Sequence, residues 1–182
     1  MTSAYMPPIS WFQQIRQSDT IQIESFDNYV KQTIRNRCLI ADSSGVQVLT
    51  IPVEKEEGKI YTKDVRISAH HDWRHQHKAA FETAYMNSPY YLYYKDELFE
   101  ILDRGHKYLF DLNMDLTEKI LEIMQWEKKI VPTQTFQGIQ QNNTATDVKQ
   151  YWQVFNCKNG FIPGLSIADL LFNTGPEFVY YI

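Results

Sequence analysis

Residues 36–53 constrain the fold of this chain more than any other stretch. Cys38 and Ile40 alternate with Arg37, Leu39 and Ala41. Asp42-Ser43-Ser44-Gly45 then supplies turn chemistry, and Val46 to Val53 returns as a second run that ends around Pro52. Two strand-patterned runs joined by a short polar turn make a β-hairpin. Ile21 to Glu24 adds a short alternating strand before it, and Val65 with Ile67 marks another after it.

Downstream of the hairpin the hydrophobic period changes. Trp73 to Tyr85 reads as a helix that Asn87-Ser88-Pro89 ends, Asp96 to Phe110 as a second, and Leu112, Leu116, Ile120 and Met124, four apart, as a third. Thr133 to Asp147 is mostly polar, with Gln137 to Gln141 and Asn142-Asn143, and reads as a long surface loop. Tyr151 to Phe155 is a candidate strand, and Ser166 caps a short helix with Ile167, Leu170 and Leu171 inward. Before the hairpin, Pro7-Pro8 leads into a short helix that Ser10 can cap. The pattern is α+β, an N-terminal antiparallel hairpin or sheet region followed by a mainly helical half. At 182 residues it fits a single domain, 1–182, long enough to bury a core without staples.

Composition excludes several classes of function. The net charge of −4 argues against nucleic acid as the main partner, since phosphate neutralisation needs a basic face. Cys38 and Cys157 are the only cysteines, and two distant thiols make neither a disulfide framework nor a zinc motif. No run approaches the ~20 apolar residues of a membrane span. Met1 to Phe12 lacks the basic start and apolar run of a signal peptide, so the cytoplasm is the expected compartment. There is no GxGxxG, P-loop, GxSxG, HExxH or EF-hand pattern, and neither a cofactor nor a metal is expected.

Four constellations remain as candidates for chemistry; one of them, Gly160 to Asp169, sets two glycines before a capped helix whose N-terminus could hold an anion, but it reads more strongly as a turn plus an N-cap. Lys31-Gln32-Thr33-Ile34-Arg35-Asn36-Arg37 places three cations in seven residues, directly before the hairpin. Lys31 and Arg35 would share a face in a helical turn, and an arginine fork suits phosphate or carboxylate. The alternative is a solvated basic face paired with Glu24 or Asp27. His70 to His77 holds four of the five histidines. On a helix from Asp72, Trp73 and His77 share a face with Phe81, and Tyr85 follows on nearly the same face. That singles out His77, either as a cleft acid–base group or as a hydrogen-bonded core histidine. Tyr85, Tyr90, Tyr91, Tyr93 and Tyr94 form the third group. They read mainly as packing between helices, with Tyr85 also a candidate to orient a substrate.

Taken in order, these segments resemble the WbqC-like protein family. The stretches that carry the resemblance are Tyr5 to Phe12, Tyr29 to Cys38, Gly45 with Leu49 to Val53, Trp73 with His77, Ala84-Tyr85, Ser88-Pro89-Tyr90, and Leu165 to Phe172. The resemblance implies a bacterial, intracellular protein. Some members look tied to surface-polysaccharide pathways, with group transfer onto a nucleotide-linked sugar as a proposed role. On that footing Lys31, Arg35, Asn36 and Arg37 are the expected substrate-binding residues and His77 and Tyr85 the expected catalytic ones. The expected partner is a phosphorylated or nucleotide-linked small molecule, with no nucleic acid and no membrane. The competing expectation is a non-catalytic binding or interaction module. Two departures stand out. Thr2, Ser3 and Ala4 replace a His-Gln-Pro-Asn-like stretch of broader members, and Lys78 follows His77 where close relatives look aromatic.

Overall fold

A computed structural model describes residues 1–55, 58–69, 72–138 and 148–182. The hairpin forms where its pattern places it. β2 (Arg37–Asp42) pairs antiparallel with β3 (Gly45–Thr50), in a register that sets Arg37 opposite Thr50 and Asp42 opposite Gly45. The Asp42 carboxylate accepts from the Ser44 backbone N–H at 2.6 Å and holds the turn. Cys38, Ile40 and Leu49 face the core, while Leu39, Val46 and Val48 face outward.

Upstream lie α1 (Ile9–Ile15) and β1 (Thr20–Ile23). The residue preceding α1 is Pro8, not a capping Ser10, and no side chain caps that end. The partner of β1 comes from the other half of the chain. β4 (Lys129–Pro132) runs parallel to it, with Ile21 opposite Ile130. β4 is not read from the sequence, because its apolar residues Ile130 and Val131 are adjacent and show no alternation.

The helical half comprises α2 (Trp73–Tyr85), α3 (Tyr91–Asp103), α4 (Leu109–Ile123), α5 (Asn156–Asn159) and α6 (Ile167–Thr174). The helix expected over 96–110 is instead the end of α3, a break, and the start of α4. Gly105, at φ +75°, cannot continue a right-handed helix. The break frees backbone to pair with the Val65–Ile67 segment: Ile67 donates to the Lys107 carbonyl and Leu109 to the Val65 carbonyl, both at 2.9 Å. That segment makes isolated bridges, Val53 with Ile67 and Arg66 with Tyr108, in place of the expected strand.

Residues 151–155 form no strand. Their alternation is real, with Tyr151 and Gln153 buried and Trp152 exposed, but side-chain hydrogen bonds anchor the segment instead of a ladder. α6 begins as expected, with the Ser166 hydroxyl accepting from the Ala168 N–H at 3.2 Å. Every residue of α6 is buried. Its Phe172 ring contacts the rings of Phe81 (6.2 Å), Tyr85 (5.3 Å) and Tyr91 (5.1 Å), which ties α2 and α3 to it. Aromatic pairs at these separations add about 0.5–1.5 kcal/mol each beyond area burial. One continuous apolar cluster reaches from Ala4 to Ile182 and receives the inner faces of the hairpin, α1, α2, α4 and α6. Among the described residues no helix is long and apolar enough to cross a membrane.

Candidate functional site

The basic run forms a tight turn, not a helix. Gln32 takes a left-handed backbone (φ +61°), and the Thr33 carbonyl accepts from both Asn36 N (3.1 Å) and Arg37 N (3.0 Å). This geometry separates residues that a helix would have put on one face. Lys31 is exposed and Arg35 is buried.

Arg35 pairs with the buried Asp27 carboxylate, the pairing that the sequence offered as one alternative. Its backbone carbonyl accepts from Asn113 Nδ2 at 2.8 Å, which fixes the turn onto α4. Asn36 is buried and extends the hairpin by one rung. Its carbonyl accepts from Ile51 N at 2.9 Å, and its Nδ2 donates to the Ile51 carbonyl at 3.1 Å. Arg37 opens β2, half-buried, and among the described residues it has no carboxylate partner.

Buried polar atoms without a hydrogen-bond partner gather here. Among the described residues they include Asp27 Oδ1, the Tyr29 hydroxyl, Arg35 Nε, Asn36 Oδ1, Arg37 Nε and Asn113 Oδ1. Such atoms are uncommon in folded proteins, and each costs about 1–3 kcal/mol if it stays unpaired. Three of the six are donors, two of them on guanidinium groups. Tyr29 sits in the field of both arginines. Burial pushes its phenol up to about 12, and the Arg35 and Arg37 charges pull in the opposite direction. Tyr29 was not singled out from the sequence. Only its place two residues before Lys31 could have drawn attention to it.

His77 meets the same corner from beneath. Its Nδ1 lies 2.8 Å from the Tyr5 hydroxyl, and the ring also hydrogen-bonds the Thr50 backbone. Thr50 is the residue opposite Arg37. Tyr5 in turn donates its backbone N–H to the Ile34 carbonyl at 2.8 Å. The structure therefore does bring His77 to the Arg37 end of the hairpin, through Thr50 and Tyr5. Burial lowers its pKa to about 4, against the raising effect of the Thr50 hydrogen bond. The imidazole is neutral near pH 7, donating to the Thr50 carbonyl and accepting from Tyr5. His70 and His71 lie outside the described residues. His75 is exposed on α2, its backbone N–H capped by Asp72.

Tyr85, two turns further along α2, belongs to a different locus. Its hydroxyl is 3.4 Å from Ala41 N, at the other end of β2, and hydrogen-bonds Asp169. Four residues of strand, roughly 13 Å, separate Arg37 from Ala41. Asp169 is a buried carboxylate in the first turn of α6. It accepts from the Tyr151 hydroxyl at 2.5 Å and from Gln153 Nε2 at 3.0 Å. Burial raises its pKa, and hydrogen bonds from Tyr151, Gln153, Tyr85 and Asn173 draw it partly back. Donors from the 151–153 segment and α2 thus converge on one carboxylate that has no cation beside it among the described residues. Sequence reasoning read Asp169 only as part of a capped turn, since nothing local announces partners 16, 18 and 84 residues away.

Comparison with known proteins agrees with the resemblance seen in the sequence. The WbqC-like protein family matches residues 2–154, which takes in the turn, the hairpin and α2 and stops short of the Leu165–Phe172 stretch. The chain is 26% identical to the uncharacterized protein Rv1507c of Mycobacterium tuberculosis, in a match covering 99% of this chain and 94% of that protein. No solved structure matches the chain.

Proposed function

The chain belongs to the WbqC-like protein family, and on that premise we propose that it is a group transferase acting on a nucleotide-linked or otherwise activated sugar in bacterial surface-polysaccharide assembly. The observation that carries this reading is the cluster of unpaired donors, Tyr29 hydroxyl, Arg35 Nε and Arg37 Nε, beside an arginine with no counter-ion among the described residues. A phosphate or carboxylate is the chemistry that suits such donors, through charge-assisted hydrogen bonds about twice as strong as neutral ones.

Each residue takes a part in that reading. Arg37, half-buried, and Lys31, exposed, grip the anion. Arg35, locked to Asp27, supplies fixed charge, and Asn36 holds the strand end that presents Arg37. His77, neutral and bonded on both sides, positions Thr50 and hence the strand opposite Arg37. Acid–base work by this imidazole requires it to exchange one of those two bonds for a substrate. Tyr85 orients substrate only if the ligand spans from the Arg37 end of β2 to the Ala41 end.

The test is a thermal-shift and calorimetry screen of nucleotide-sugars. The expected result is a rise in melting temperature that Arg37→Ala abolishes and Lys31→Ala reduces, with the unliganded variants folding normally. No shift across a broad panel of phosphorylated ligands removes the reading.

A second reading, an interaction module, draws on a different surface. Leu92 (68% exposed), Tyr93 (73%) and Met86 (59%) stand out in solvent around the α2–α3 corner. It predicts a dimer or complex that Tyr93→Ser dissolves. A strictly monomeric chain by light scattering, together with a nucleotide-sugar response, decides for the first reading.

A further inference from the structure

A cleft of about 380 Å³ opens between α1, β1 and the segment that follows β4. That volume lies within the range of small-molecule sites, about 300–1,000 Å³. Its chemistry differs from that of the arginine corner. The buried side chains of Ile15 and Ile21 give it an apolar floor, and Gln14, Ser18, Gln22 and Gln137 give it polar walls. No lysine or arginine lines it among the described residues. The Met1 α-amino group at its edge donates to the Gln22 carbonyl at 2.8 Å.

Glu24 is the fixed point of this cleft. It is 1% exposed yet lines the cavity. One carboxylate oxygen accepts from Phe26 N (2.9 Å) and the Thr133 hydroxyl (2.9 Å), and the other from Gln137 N (2.8 Å). Burial alone would raise this carboxyl, but the Gln137, Phe26 and Thr133 hydrogen bonds, together with the nearby Met1 ammonium, outweigh it and hold the group below its ordinary value. An ionised carboxylate has about four acceptor positions. Among the described residues three are filled, which leaves one on Oε2. The side-chain amides of Gln14 and Gln22 have no hydrogen-bond partner among the described residues, and each offers both a donor and an acceptor.

We propose that this cleft binds an uncharged, polyhydroxylated small molecule of pyranose size. Glu24 Oε2 accepts from one hydroxyl, the Gln14 and Gln22 amides engage neighbouring hydroxyls as donor and acceptor at once, and the C–H face of the ring lies on Ile15 and Ile21. Among the described residues no lysine or arginine lines the cleft, and its one lining cation, the Met1 ammonium, already donates to the Gln22 carbonyl and faces the charge of Glu24, so the cleft disfavours phosphates, which the arginine corner suits. The two sites are chemically distinct, and this inference does not depend on the first.

The experiment is chemical-shift mapping of the full, isotope-labelled chain. The probes are methyl α-glucopyranoside, galactose and N-acetylglucosamine, each titrated to high millimolar concentration, with inorganic phosphate as the control. The expected result is a saturable shift of the Gln22 and Gln137 amide signals by at least one pyranose and not by phosphate. Gln14→Ala and Gln22→Ala are surface changes that should leave the melting temperature unaltered. Each should weaken binding roughly three- to tenfold, the worth of one neutral hydrogen bond. Arg37→Ala should leave pyranose binding intact. The proposal is overturned if none of the three sugars gives saturable shifts, if the shifts map elsewhere, if phosphate reproduces them, or if both glutamine variants bind like the parent.

Discussion

The Tyr5 hydroxyl and His77 Nδ1, 72 positions apart in the chain, lie 2.8 Å apart in the core and join the N-terminal segment to α2. The partnership is built for a neutral imidazole. A histidine that ionises near 4 when folded and near 6.5 when unfolded binds its proton more readily in the unfolded chain. Its contribution is therefore full above the unfolded value and is lost as the pH falls from about 6.5 towards about 4. A shift of this size corresponds to roughly 3 kcal/mol. Urea unfolding at pH 7 and pH 4.5 should show that decline, and His77→Gln, which keeps a donor and an acceptor, should flatten most of it.

Arg35 and Asp27 are both buried, so removing one leaves the other charge unpaired. Arg35→Ala or Asp27→Ala is expected to cost about 3–5 kcal/mol, whereas replacing both with apolar residues of similar size should cost far less. Chemical denaturation of the two single variants and the double variant gives the coupling directly.

At Asp169 the linkage has the opposite sign. Burial raises its carboxyl, so the folded chain holds that proton more tightly than the unfolded one. The stability this provides is full below the ordinary carboxylate range and is lost as the pH rises through the raised folded value. Asp169→Asn removes that loss and should hold its stability where the parent declines. Tyr151→Phe, which deletes a hydrogen bond to this buried carboxyl group, should cost about 1–3 kcal/mol. Unfolding curves at several pH values separate the two effects.

Gly175 follows α6 at φ +52°, and a Cβ placed there would stand 2.5 Å from the Tyr90 ring. Gly175→Ala meets backbone strain and a clash together, and should cost at least about 2 kcal/mol. Tyr90→Ala relieves only the clash, so the double variant should recover part of the loss. Melting temperatures of the set give the split between the two.

Local chemistry made the hairpin, α2 and the Ser166 cap readable, since alternation, a terminating Asn-Ser-Pro and a capping hydroxyl all act within a few residues. The misread elements are those whose cause is distant. Residues 104–108 leave the helix in order to pair with 65–67, and β4 exists because β1 is there to receive it. The same division holds for the candidate site. The Lys31–Arg37 run is visible as charge, and Asp27 as a partner for it. That the run is a turn pointing Lys31 outward and Arg35 inward is visible only once Asn113 and Tyr5 are seen to hold its carbonyls. The three donors that reach Asp169 from other elements, Tyr85, Tyr151 and Gln153, have no local signature at all.

The parallel pairing of β1 with β4 joins residue 20 to residue 129. A chain leaves the ribosome from its amino end, so β1 and its neighbours emerge more than a hundred residues before the strand that completes them. Until residue 132 is clear of the exit tunnel, Ile21 and Ile23 have no edge to close against, and the early product is an unfinished half. Closure across that span is slow, because long loops must be ordered before their contacts form. The nascent chain thus passes through a period of exposed apolar surface on its amino-terminal third, set by its topology.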